Sequence, residues 1–164
     1  MSLLHRRPLR VLALPAVPAF LALAGCAPAD SGGRVDPPPA PPAAVAELCA
    51  ALHEELPETV DGLARTPTSP ESDLTAAWGG SAIVLRCGIP KPPKMADPQQ
   101  DGVEVNGVAW LVEKPEEGGL RFTTGARLAY TEIRVAKEHA TDASVLVGLS
   151  AAVARTVPVG ISSY

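Results

Sequence analysis

The chain reads as an α+β domain in two layers. A mainly antiparallel sheet of four to five strands carries an N-terminal and a C-terminal helix on one face. Three observations predict this. Val45, Leu48, Cys49, Leu52 and Leu56 recur at helical spacing, the mark of an amphipathic helix. Ile83, Leu85 and Cys87 alternate with Val84 and Arg86, the period of a half-buried strand. Asn106-Gly107 stands between apolar flanks and accepts the positive φ that a tight hairpin needs at both central positions. A sheet with one apolar face must cover it, and helices on that face do so.

The first helix runs from about Ala43 to Leu56 and is stopped by Pro57, which has no N–H to continue the ladder. Asp61-Gly62 marks a turn. Arg65 to Asp73 holds Pro67, Ser69, Pro70 and Ser72 and reads as a loop. Ala82 to Cys87 is the first strand. Gly88 to Asp101, with Pro90, Pro92, Pro93 and Pro98, is a long irregular connection. Val103 to Val112 is the hairpin around Asn106-Gly107, and Glu116 to Gly119 is a further turn. Leu120–Thr124 and Leu128–Val135 are strands broken at Gly125. Asp142 caps a final helix with Val145, Leu146, Leu149 and Val153 inward, ending before Pro158.

The N-terminus has a different character. Arg6, Arg7 and Arg10 precede an apolar run that closes on Leu23-Ala24-Gly25-Cys26. A positive start, a short apolar segment and small residues before a cleavage point make a secretory signal. The cysteine directly after Ala24-Gly25 makes it a lipoprotein signal, with a plain secretory signal as the alternative. Val11 to Ala24 is too short for a bilayer core of ~30 Å, which needs about 20 helical residues. The expected organisation is therefore a signal peptide at 1–25, a lipidated Cys26 and Pro-rich tether over 26–42, and one extracytoplasmic domain over 43–164. At roughly 3.1 Å per polyproline-type residue, the tether would lift the domain up to about 50 Å from the lipid.

Charge narrows the partners. The signal carries three of the 14 basic residues and none of the 18 acidic ones, so the mature chain is acidic by about seven charges. That balance argues against nucleic acid and against purely electrostatic adhesion to anionic lipid. The diacylglyceryl lipid on Cys26 supplies the membrane affinity instead. Cys49 and Cys87 remain after lipidation. Outside the cytoplasm two cysteines in one small domain pair, and a helix laid on the strand brings both sulfurs inward. The loop of about 39 residues so closed is worth about 4 kcal/mol. A zinc site is the poorer reading, because no histidine stands at ligand spacing.

Chemistry-bearing residues are few. His53 and His139 read as solvated surface histidines without a nucleophile beside them. Glu54, Glu55, Glu58 and Asp61 read as a solvated acidic face with no glycine-punctuated calcium loop, and Glu116-Glu117 as a turn. Trp78 and Trp110 either stack on a ligand or fill the core. Trp110 shares strand parity with Val108 and Val112, and Trp78 precedes Gly79-Gly80, where backbone can approach a ligand closely. Arg86 and Arg127 interrupt apolar strands. Arg86 points to the face opposite Cys87, and Arg127 follows Thr123-Thr124-Gly125, a cluster of donors that either holds a carboxylate or phosphate or forms a structural pair with an acid such as Glu104 or Glu132. Trp78, Arg86 and Arg127 are the candidate ligand or partner contacts. No catalytic residue, metal site or cofactor is expected.

Several of these pieces together resemble the DUF3515 family of actinobacterial lipoproteins. The matching pieces are Leu48-Cys49 with Leu56-Pro57, Ala77-Trp78-Gly79, and Ile83-Val84-Leu85-Arg86-Cys87-Gly88. Val105-Asn106-Gly107-Val108 with Trp110, and Phe122-Thr123-Thr124 with Arg127, complete the set. The chain departs from the family at Gly80-Ser81, where members tend to carry Asp-Pro, and at Gly125-Ala126. The resemblance implies an extracytoplasmic envelope protein and brings no activity, substrate or catalytic residue. The expected function is a non-enzymatic binding or protein-interaction module, lipid-anchored on the outer face of the cell membrane. A small-ligand or cell-wall-fragment binder is the alternative, and a hydrolase comes last.

Overall fold

A computed structural model describes residues 33–162 and residue 164. The chain enters as a short strand, β1 (Gly33–Arg34), and reaches the first helix, α1 (Ala43–Glu54). A run of strands follows: β2 (Thr59–Val60), β3 (Leu63–Thr66), β4 (Thr68–Ser69), β5 (Thr75–Trp78) and β6 (Ile83–Cys87). The remaining strands are β7 (Gly102–Val105), β8 (Val108–Glu113), β9 (Leu120–Thr124) and β10 (Thr131–Val135), and α2 (Leu146–Thr156) closes the fold. The class is α+β, but the antiparallel sheet has eight strands, in the order β2-β3-β5-β6-β10-β9-β8-β7, rather than four to five. A separate parallel pair, β1 with β4, completes the strands.

The added strands β2, β3 and β5 lie between α1 and Ala82, where the sequence marked only the Asp61-Gly62 turn and the Arg65–Asp73 loop. Asp61 (φ 50°) and Gly62 (φ 76°) take left-handed backbone and join β2 to β3 as a two-residue hairpin. Asn106 (φ 50°) and Gly107 (φ 72°) do the same between β7 and β8, as the dipeptide predicted. Two elements start later than expected. The strand before Val135 begins only at Thr131. The last helix begins at Leu146, with Asp142 Oδ1 accepting the Ser144 N–H in the turn before it, 2.7 Å away.

Register decides which side chains share a face. Leu85, Ile133, Phe122 and Val112 lie opposite one another across β6, β10, β9 and β8, so all four point to one side. Cys87 and Trp110 share that side. Cys87 is bonded to Cys49 of α1, 38 residues away. The Trp110 indole N–H donates to Ser150 Oγ of α2 at 2.9 Å. Both helices therefore cover the same face, and Leu52, Trp78, Ile83, Leu146, Leu149 and Val153 fill the space between with no more than 2% exposure each.

The opposite face carries Arg86, Glu132, Arg134, Arg121, Thr123 and Glu113, which alternate with the core residues. Residues 33–36, part of the 26–42 stretch read from composition as an extended tether, lie along this side. Val35 and Pro38 are buried, and Arg86 Nε donates to the Asp36 carbonyl at 3.1 Å. A Cβ added to Gly33 would stand 2.4 Å from the Gly80 carbonyl oxygen, so only a glycine passes there. The backbone that closely approaches Gly79-Gly80 is thus the protein's own. Tyr164 ties the C-terminus to the same segment through its hydroxyl, which donates to the Pro39 carbonyl at 3.2 Å. Composition could not show this docking, because prolines give an extended segment whether or not it finds a surface.

Candidate functional site

Trp78 and Arg127 do not face a ligand. The Trp78 side chain is fully buried and its indole N–H donates to the Pro57 carbonyl at 3.0 Å. Trp110 is likewise interior. Arg127 is buried, and its partners are two carbonyls rather than an acid. Nη1 donates to Val157 O, beside the C-terminus of α2, and Nη2 to Gly107 O in the β7–β8 turn, each at 2.8 Å. Helix ends leave carbonyls without intrahelical partners, and the guanidinium fork satisfies one of them while fastening the hairpin to the helix.

Arg65 plays the same part for α1. Its Nη2 donates to the His53 carbonyl at 3.3 Å and to the His53 ring Nε2 at 2.8 Å. A guanidinium only donates, so Nε2 is the accepting nitrogen and the imidazole is held neutral. His53 is half-buried rather than solvated. Its pKa lies below 6.5, chiefly because burial disfavours the charged ring and then because Arg65 repels it. Asp73, the Thr75 carbonyl and Glu54 oppose that shift.

These residues border a cleft of about 690 Å³. β3 pairs with β5 only at Arg65–Trp78 and Thr66–Ala77. Pro67 follows, cannot donate to a ladder, and the chain leaves β5. The gap is lined by His53, Glu58, Arg65, Glu71, Asp73 and Thr75, among others. Its one guanidinium is committed to His53, and its carboxylates are exposed. Among the described residues, no group of three or more His, Cys, Asp or Glu side chains is placed to hold a metal ion. His139 stands apart, in the short helical turn Lys137–His139.

Arg86 alone of the predicted contacts stands at an open surface, on the outer face of the sheet. It is directly opposite Glu132. Glu132 is 6% exposed and gathers three guanidiniums. Arg134 Nε lies 2.7 Å from Oε1, Arg86 Nη1 3.5 Å from the same oxygen, and Arg121 Nε 3.7 Å from Oε2. A second cleft, of about 430 Å³, opens beside this group and is lined by Arg34, Asp36, Ser81, Val84, Arg86 and Arg134, among others. Arg121 and Arg134 carried no local signal in the sequence. The alternation around Arg86 placed it on a polar face, but only the pairing of β10 with β6 and β9 brings the others to it.

The fold and this surface define a disulfide-bridged α+β domain with a cationic patch on the side of its sheet away from the helices. The chain belongs to DUF3515, a family described as proteins of unknown function, whose model matches residues 9–161. No curated protein and no solved structure matches the chain.

Proposed function

We propose that the protein is an envelope lipoprotein, anchored through lipid on Cys26, that works as a non-enzymatic binding or interaction module. Arg6, Arg7 and Arg10 followed by Leu23-Ala24-Gly25-Cys26 support the anchor; that stretch lies outside the described residues. One observation carries the binding reading. The cleft beside Arg86 and Arg134 is lined on its other side by Arg34 and Asp36, on the segment through which the chain leaves the domain. Residues 26–32 span at most roughly 25 Å when fully extended. A lipid on Cys26 therefore holds this face near the membrane surface, closer than a tether running to residue 42 would. The support against catalysis is chemical. The Nε2 of His53 is occupied by Arg65, so that nitrogen has no lone pair for a proton from substrate.

Two measurements test the reading. Cys26→Ala in the full chain should move the protein from the membrane to the soluble fraction, and unchanged membrane association would sink the anchor. A photo-reactive residue at Ser81, which is exposed and lines the cleft, should crosslink in cells to one abundant envelope protein or to wall material. Absence of any adduct there would count against a binding role for this face.

A further inference from the structure

We infer that Arg86 and Arg134, with the Ser81 hydroxyl beside them, form a phosphate-binding site on the outer face of the sheet, one that takes a phosphate ester. The inference deepens the binding reading above and takes its setting from it.

The first argument is charge. Three guanidiniums surround one carboxylate, that of Glu132. Arg121 lies directly opposite Arg134 across the β9–β10 pair, and like charges placed so repel. The other nearby acids are engaged elsewhere. Glu113, opposite Arg121 on β8, pairs with Lys94 at 3.2 Å. The Asp36 carboxylate lies 3.8 Å from Arg34 Nε, and only its main-chain carbonyl meets Arg86. The cluster thus keeps about two positive charges unneutralised, on a chain that is otherwise acidic.

The second argument is hydrogen bonding. Arg121 Nε and Thr123 Oγ1 are buried polar atoms without a hydrogen-bond partner among the described residues. Thr123 is fully buried and sits directly opposite Glu132. Both lie on the β9 side of Glu132 and do not line the cleft. Of the arginines that do, Arg86 Nη2 and Arg134 Nη1 make no hydrogen bond among the described residues and remain to donate.

The third argument is shape. The cleft of about 430 Å³ brings Arg86 and Arg134 together with the exposed Ser81 hydroxyl. A planar carboxylate is served by one guanidinium fork. Arg134 holds Glu132 through Nε and Nη2, and Arg86 spends Nε on the Asp36 carbonyl and Nη1 on Glu132. A phosphate presents several charged oxygens in a tetrahedron and takes the remaining N–H groups of two guanidiniums and a hydroxyl at once. Its one to two negative charges match the excess on the cluster. The phosphate ester has two sources, the headgroup of an anionic phospholipid or a free phosphate ester.

The test is calorimetric titration of the mature lipidated protein in neutral detergent. The probes are glycerol phosphate and a short-chain phosphatidylglycerol. Saturable binding of either supports the site, and whichever probe binds identifies the source. Arg134→Ala should weaken binding by about tenfold or more. Arg134 is 49% exposed, and an unchanged melting curve shows that the variant is folded. Arg155→Ala, which removes the surface pair with Glu55, should leave binding unchanged. Added salt should weaken it. No saturable binding of either probe at millimolar concentration, or equal binding by Arg134→Ala, overturns the inference. Neither result bears on whether Cys26 anchors the chain.

Discussion

Arg127 donates one N–H to the Val157 carbonyl at the end of α2 and another to the Gly107 carbonyl of the β7–β8 turn, both at 2.8 Å. Arg127→Ala leaves two carbonyls without their donor and a void where the side chain was. Hydrogen bonds to a charged group contribute about 1.5–3 kcal/mol each, so the variant should lose about 3 kcal/mol of stability. A lowered midpoint in thermal unfolding is the expected result. An unchanged melting curve would show that these bonds carry no weight.

Arg65 and His53 predict a pH response. Burial and Arg65 hold the folded-state pKa of His53 below the ordinary 6.5, so the folded protein takes up fewer protons than the unfolded chain. The resulting stability is present above about pH 6.5 and is lost as the pH falls through the folded value. His53→Gln keeps an acceptor for the guanidinium and removes the titration. Melting temperatures measured between pH 7 and pH 5 should fall more steeply for the natural protein than for this variant. Parallel curves would refute the assignment.

Gly33 and Gly80 fix how the N-terminal segment lies. Gly33→Ala drives a methyl onto a backbone carbonyl that cannot swing away, and such overpacking costs about 1–3 kcal/mol. The alternative to that cost is release of the segment from β4. Hydrogen exchange at Val35, whose N–H donates to the Ser69 carbonyl at 3.1 Å, should accelerate in the variant relative to the β6 amides. Equal protection in both proteins would mean that the segment is held by something other than this close approach.

The Cys49–Cys87 bond links α1 to a central strand across 38 residues. Replacing both cysteines by alanine should lower stability by about 4 kcal/mol, mainly by freeing the unfolded chain. Chemical denaturation of the oxidised protein against the double variant measures this. Free thiols in the native oxidised protein would exclude the bond.

Local pattern and tertiary contact divided the information in this chain. α1, the strand at Ile83–Cys87, the Asn106-Gly107 hairpin, the last helix and the cysteine pair were legible in local pattern alone. The helices and the strand each bury one stripe or one face, and burial on one side leaves a period that neighbouring residues display; the hairpin showed in its turn dipeptide. β5 left none. Thr75, Ala76, Ala77 and Trp78 are all buried, because the helices cover one side while Thr75 meets Thr68 of β4 on the other, so no alternation marks it. β2 and β4 are two residues long, too short for any period. Long-range packing alone made Arg127 serve carbonyls while Arg86 meets Glu132. The same packing put Trp78 in the core and brought Arg121 and Arg134 around one carboxylate. Those outcomes follow from strand register and from where residues 33–42 dock, and both depend on partners far away in the chain.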